Sequence, residues 1–305
     1  MSDRTGTVIA SHGKEYEVRT DSGETVRCVL RGRLRLEDKT AVNPVAVGDI
    51  VIFSHTSDDK GAIREVESRR SRLSRRAPEP YSHLEQVIVA NLDRLVVVVA
   101  TTRPKYKTRT IDRYLVSGEA GGLDSVVCFN KIDLIEDRTP VEQDASDYAK
   151  ASYPVLVTSA TTGEGVSDLA VVLSGHTSVF AGPSGAGKSS LLNAIDPDLS
   201  LRVGDISETT TKGRHTTSSV RLLPIPGGGY IADTPGMREL GLFDVTRRML
   251  DDCFPEFREP ALLCRFADCA HVSEPGCGVK EAVEDGSVSP KRYESYIRIR
   301  NSLPE

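Results

Sequence analysis

Gly182-Pro183-Ser184-Gly185-Ala186-Gly187-Lys188-Ser189 fits the pattern G-x-x-x-x-G-K-[ST] of a loop that cradles phosphate. Glycines 182, 185 and 187 let successive backbone N–H groups turn inward around phosphate oxygens. The helix expected to open at Ser189-Ser190 adds the partial positive charge of its N-terminus. Lys188 would reach the β and γ phosphates, and Ser189 would ligate Mg²⁺.

Asn130-Lys131-Ile132-Asp133 lies about fifty residues upstream, directly after the apolar run Ser125–Phe129. An Asp carboxylate at position 133 can accept the N1 and N2 donors of guanine. Adenine has no matching pair and would leave the carboxylate unsatisfied, which is costly. Lys131 offers an aliphatic stem to the base, and Asn130 braces the loop. Thr158-Ser159-Ala160 follows another strand-like run and fits the second guanine loop, with the Ala160 N–H directed at O6. GTP is therefore expected over ATP.

Asp233-Thr234-Pro235-Gly236 supplies the third part. Asp233 would hold Mg²⁺ through water, and the Gly236 N–H would meet the γ-phosphate. Met237 follows where Ras-type enzymes carry a water-orienting Gln. Thr209 to Thr217, between the phosphate loop and Asp233, reads as a first switch. Thr216 or Thr217 would complete the Mg²⁺ shell, a choice spacing leaves open, and His215 is the candidate for positioning the attacking water. Ordinary small GTPases meet the phosphate loop first and N-K-x-D near the end. This chain carries the same parts in permuted order.

A fourth constellation is Cys264-x4-Cys269-x-His271-x5-Cys277. Three thiolates and one imidazole make a complete tetrahedral zinc set of the closed, structural kind. A single His among the cysteines favours metal over disulfides in a cytosolic chain. Cys28 and Cys128 lie in apolar strands and Cys253 beside Phe254, so these three read as core thiols.

The elements that must position these groups follow from periodicity. Within 305 residues of net charge −5, Thr5–Ala10, Glu15–Arg19, Thr25–Leu30, Asp49–Ser54 and Ala62–Val66 read as five short strands separated by turn residues. They fit a small closed barrel of the OB type, with an SH3-like barrel as the alternative. Two arginine groups, Arg31/Arg33/Arg35 and Arg64 with Arg69 to Arg76, are solvated faces or phosphate contacts. Arg75 to His83 reads as a linker. Beyond it, strand-like and helical runs alternate, giving an α/β domain with a mostly parallel sheet and sites at the carboxyl ends of its strands. From about Leu240 the pattern changes to short helical pieces around the Cys/His set. The expected units are a barrel at 1–75, a nucleotide domain at 84–240 and a mainly α zinc-binding domain at 241–305. No apolar run approaches the roughly 20 residues of a membrane span, and the start lacks a signal-peptide form. A cytoplasmic monomer with no membrane partner is expected.

N-K-I-D, G-P-S-G-A-G-K-S-S, G-R-H-T-T, D-T-P-G and C-x4-C-x-H-x5-C, in that order behind a small barrel, resemble the ribosome small subunit-dependent GTPases of the RsgA (YjeQ) family over essentially the whole chain. The resemblance implies a late assembly factor of the 30S subunit whose weak GTPase is stimulated by that subunit. It also implies that the barrel and zinc domains contact 16S rRNA. By motif it places nucleotide contacts on Asn130 to Asp133 and Gly182 to Ser190, and zinc on Cys264, Cys269, His271 and Cys277. The residues leave two other readings: a P-loop kinase of a small molecule, which N-K-x-D opposes, and a GTP-sensing scaffold with little hydrolysis, which Met237 favours.

Overall fold

The structure, a computed structural model, describes residues 3–30, 43–57, 60–76, 81, 84–201, 220–233 and 245–303. The switch segment with His215, Thr216 and Thr217, the run Thr234 to Met237, and Arg31, Arg33 and Arg35 lie outside the described residues.

The first five strands are β1 (Asp3–His12), β2 (Glu15–Thr20), β3 (Thr25–Leu30), β4 (Ile50–Ser57) and β5 (Lys60–Val66). They run in the order β1-β2-β3-β5-β4, and β4 returns to β1 to close the barrel. β3 and β5 pair in parallel while the other neighbours are antiparallel. That order is the OB arrangement rather than an SH3-like one. Alternation fills the barrel, since Val8, Val18, Val26, Cys28, Val51, Phe53 and Ile63 point inward and are buried. Cys28 is thus a core thiol, as its strand context suggested, and burial pushes its pKa up to about 11.

Arg72–Arg76 forms β6, paired antiparallel with β7 (Glu85–Ala90). The linker reading therefore began too early, because Arg75 and Arg76 belong to a strand. The alternating burial of Glu85–Ala90 is the signal of its partner strand. β7 receives the barrel: Ala90 N–H donates to Val47 O and the Asn91 amide to Gly48 O. Gly48 has φ +90°, and a Cβ there would sit 2.0 Å from Ala90 O, so only glycine allows this approach.

The nucleotide domain comprises β8 (Arg94–Ala100), α1 (Thr108–Ala120), β9 (Asp124–Asn130), α2 (Thr139–Lys150), β10 (Val155–Thr158), α3 (Val166–Leu173), β11 (His176–Ala181), α4 (Lys188–Ile195), β12 (Arg221–Pro224) and β13 (Gly229–Asp233). Its sheet runs β10-β9-β8-β11-β13-β12, parallel except for β12. β8 carries Leu95 to Val99 with no exposed surface, as expected for a strand covered on both faces. At β12 the sheet continues into the barrel through the Ala10–Arg221 pairing. β1 can serve both sheets because its Asp3–Thr7 half pairs with β4, and an irregularity between Val8 and Ala10 turns the other half toward β12.

The C-terminal unit holds α5 (Arg258–Ala261), α6 (Gly278–Glu284) and α7 (Pro290–Ser302), with no strand among its described residues. At its centre Phe254 stacks on Phe257 and Tyr296 meets both edge-on, with ring centroids 5.0–5.3 Å apart. Arg292 of α7 joins this unit to the nucleotide domain. Its guanidinium, with 2% of the side chain exposed, donates to Asp112 of α1 at 2.6 Å and to Glu256 at 2.7 and 3.2 Å. It also lies over the rings of Phe254, Tyr148 and Tyr153. Beside it, Lys291 donates to Asp144 of α2.

Candidate functional site

The carboxyl ends of β9, β8, β11 and β10 bring the sequence-predicted groups to one edge of the sheet. After β11, the chain enters Gly182 to Gly187 and then α4, the strand–loop–helix setting the motif requires. Gly182 has φ +145°, and a Cβ there would lie 2.0 Å from Val98 O of the neighbouring strand. Gly187 has φ +92°, and a Cβ there would lie 2.3 Å from the Asn130 amide nitrogen. The Lys188 ammonium curls back to Gly182 O at 2.7 Å and Pro183 O at 3.0 Å. Ser189 and Ser190 follow on the first turn of α4, half-buried.

Asn130 ends β9 and does not face solvent. Its amide donates to Ala186 O at 2.9 Å inside the phosphate loop, and its Oδ1 accepts from Thr158 Oγ1 at 3.2 Å. One buried side chain thus ties together the three segments that carry Asn130 to Asp133, Gly182 to Gly187 and Thr158 to Ala160. Lys131 follows at φ +65°, opening a single 3-10 turn over Ile132–Leu134. Ile132 is buried and anchors that turn, while Asp133 is exposed. Thr158 and Ser159 are fully buried; the Ser159 hydroxyl accepts from Thr162 N–H at 3.1 Å, which shapes the turn that carries Ala160.

Asp233 ends β13, opposite Arg221 of β12. Burial pushes its carboxyl above the usual carboxylate range, and Arg221 pulls it partly back. The remaining switch residues, among them Gly236, fall outside the described residues, so the structure says nothing of His215 or of the choice between Thr216 and Thr217.

Sequence reasoning missed a set of groups on the loop between β8 and α1. Thr101 Oγ1 donates to Lys131 O at 2.8 Å, and the Lys131 ammonium donates to Arg103 O at 2.9 Å. No motif marks these residues; only their position after the buried run of β8 could have drawn attention to them.

The Cys/His set converges as the spacing predicted. One ligand atom from each of Cys264, Cys269, His271 and Cys277 lies within 4.8 Å of all the others. His271 Nδ1 is 3.5 Å from Cys264 Sγ and 3.3 Å from Cys277 Sγ, and those two sulfurs are 4.0 Å apart. With Zn–S near 2.3 Å and Zn–N near 2.0 Å, a tetrahedron has S–S edges of about 3.8 Å and N–S edges of about 3.5 Å. The three edges among Cys264, His271 and Cys277 come close to those lengths, and Cys269 completes the set within 4.8 Å. Burial pushes the Cys269 thiol up to about 12, and neighbouring thiols add to the rise, a crowding that a bound cation would reverse. His271 Nε2 faces the Asp251 carboxylate at 4.0 Å, and Asp251 is held in turn by the Tyr296 hydroxyl at 2.6 Å. At that distance the carboxylate acts on the imidazole electrostatically rather than through a hydrogen bond.

Three arginines near residue 70 pair with carboxylates. Arg69 pairs with fully buried Asp49 at 2.7 and 2.8 Å, Arg70 with Asp93 and Arg72 with Glu85. Arg69 is thereby spent within the barrel and Arg72 spans the β6–β7 hairpin, while the Arg70 and Arg72 side chains stay 57% and 44% exposed.

Fold and site together define a P-loop GTPase domain whose motifs follow one another in circularly permuted order, between an OB-type barrel and a Cys/His module that could hold a metal ion. The chain matches the RsgA GTPase family over residues 66–243 and the RsgA N-terminal domain over residues 5–63. It belongs to the RsgA family. It is 45% identical to the small ribosomal subunit biogenesis GTPase RsgA of Gemmatimonas aurantiaca, covering 98% of this chain and 97% of that one. Among solved structures, YjeQ from Thermotoga maritima aligns with a TM-score of 0.81 at 36% identity, covering 99% of both chains. YloQ, described as a circularly permuted GTPase, aligns at 0.77 and 32% identity, covering 99% of this chain and 95% of the other.

Proposed function

We propose that this protein hydrolyses GTP in the assembly of the small ribosomal subunit, with the subunit stimulating turnover and 16S rRNA as the surface it contacts. The observation that carries the reading is the Asn130 amide bonded to Ala186 O, which holds a guanine-selective loop and a phosphate loop as one unit. Family membership and the names of near-full-length relatives support the cellular role.

In this reading Asp133 reads the guanine edge, Lys131 flanks the base, and Thr158, Ser159 and Ala160 close the pocket. The backbone from Gly182 to Gly187, with Lys188 and Ser190, holds the phosphates. Ser189 and Asp233 serve Mg²⁺, joined by Thr216 or Thr217, while Gly236 meets the γ-phosphate and His215 orients water. The raised pKa of Asp233 suits a carboxylate that gains a cation on binding, since the metal returns it to its charged form. Cys264, Cys269, His271 and Cys277 hold one structural Zn²⁺, because all four positions of the tetrahedron are protein atoms and none is left for water. The protein acts as a monomer, and its three units fall at about 1–75, 84–240 and 241–305.

GTP turnover measured with and without purified 30S subunits tests the proposal. Stimulation by 30S and not by 50S subunits is expected; flat turnover in both conditions refutes it.

A further inference from the structure

The loop from Thr101 to Lys107 lies between the two halves of the nucleotide site yet carries no recognised motif. Thr101 N–H donates to Asn130 O at 2.9 Å, and its hydroxyl donates to Lys131 O. Lys131 O also accepts from Leu134 N–H at 3.1 Å, the bond that closes the turn carrying Asp133. At its other end, the Lys131 ammonium is tied to the carbonyl of Arg103, itself at φ +51°. The same loop reaches the phosphate side, where a Cβ on Gly185 would lie 3.3 Å from Pro104 Cδ.

Lys131 therefore adopts a left-handed conformation that L residues with a Cβ avoid, and Thr101 and Arg103 hold it there from both ends. Asp133 is exposed and takes its direction from the turn that Lys131 opens. A carboxylate that must accept two parallel N–H donors tolerates little misdirection, because hydrogen bonds weaken steeply away from linearity.

We propose that Thr101, together with the Arg103 carbonyl, is a positioning element for guanine recognition: it sets the aim of Asp133 through Lys131 without touching the nucleotide. The inference deepens the GTPase reading and rests on it. Thr101 is 4% exposed, and valine keeps the branched shape of threonine without its hydroxyl, so Thr101→Val removes the bond to Lys131 O. Thr101→Ser keeps the bond.

The test measures affinities of the full-length protein for GDP, for IDP, which lacks the guanine N2 amino group, and for ADP. It adds the melting temperature without nucleotide and the KM and kcat of stimulated hydrolysis. T101V is expected to weaken GDP binding about three- to tenfold, the worth of one net hydrogen bond. IDP should weaken less, so that the GDP-over-IDP ratio narrows, with KM rising and kcat unchanged. T101S should stay within about twofold of wild type. A T101V protein with the wild-type ratio overturns the inference, as does an equal loss for all three nucleotides that tracks a lower melting temperature. Should T101V fail to fold, Lys131→Met keeps the stem over the base and removes the Arg103 tether. It should narrow the ratio in the same way, and an unchanged ratio overturns the inference equally. A wild-type protein that does not prefer GDP to ADP refutes the GTPase reading itself, and the inference with it.

Discussion

Replacing Arg292 by methionine should loosen the C-terminal unit from the nucleotide domain, and the deficit should depend on pH. Arg292 has 2% of its side chain exposed and meets Asp112, with 1% exposed, and Glu256, with 4% exposed. Methionine fills much of the space between Phe254, Tyr148 and Tyr153 but strands both carboxylates. Removing one partner of a buried ion pair costs about 3–5 kcal/mol, chiefly from the uncompensated charge left behind. Burial already pushes the Asp112 carboxyl up, and Arg292 opposes that rise, so the variant raises it further. A folded-state pKa above the unfolded value gives stability below the unfolded pKa that is lost as pH climbs through the folded one. The deficit of R292M should therefore be smaller at pH 5.5 than at pH 8, because rising pH adds to the cost of keeping a buried Asp112 protonated or charging it unpaired. Two units need not unfold together, so native-state hydrogen exchange of α1 and α7 amides is the suitable measure, giving opening free energies at both pH values. A deficit below about 1 kcal/mol, or one flat between the two pH values, would refute the reasoning, because a mere loss of packing carries no such pH dependence.

Cys264→Ser, or exhaustive chelation, should release one equivalent of zinc and lower hydrogen-exchange protection in α6 and α7, while GDP affinity changes less than about threefold; retained zinc in C264S would count against the four-ligand set. Asp133→Asn should cost about a hundredfold or more in GDP affinity and turn preference toward XDP, whose extra carbonyl accepts where guanine donates; titration with both nucleotides decides it, and undiminished GDP binding would remove Asp133 from the pocket. Arg69→Ala leaves fully buried Asp49 unpaired and should destabilise the barrel by about 3 kcal/mol. In that variant the salt dependence of 30S binding should keep its slope, since Arg69 is engaged with a carboxylate; a slope reduced by about one would restore it as a phosphate contact.

Much of the site was legible because its chemistry is local. A phosphate loop needs three glycines and a lysine in one stretch, and the Cys/His set needs four donors within fourteen residues. The five barrel strands were likewise readable, since alternation such as Val8, Val18 and Val26 shows directly which side chains face inward. What stayed hidden depended on partners distant in sequence. Arg69, Arg70 and Arg72 read as one basic cluster until Asp49, Asp93 and Glu85 were found opposite them. β6 and β7 escaped notice because Arg72–Arg76 gains its reason to be a strand only from Glu85–Ala90 across the hairpin. α3 (Val166–Leu173), eight residues long, was too short for periodicity to separate from a strand.

By itself the sequence determined which nucleotide the chain selects, the order in which it visits the parts of the site, and which four residues could hold a metal. These are matters of residue type and short spacing, where covalent connection already brings the groups near one another. The tertiary structure alone decided that Asn130 braces the phosphate loop from another strand, that Thr101 and Arg103 hold Lys131 at both ends, and that Arg292 binds the Cys/His module to α1. It also decided that the barrel continues the nucleotide sheet at Ala10 and Arg221. Each of these contacts joins residues dozens to hundreds of positions apart. Their pairing depends on the order of strands in the sheet and on which faces are buried, and no local pattern of residues encodes either.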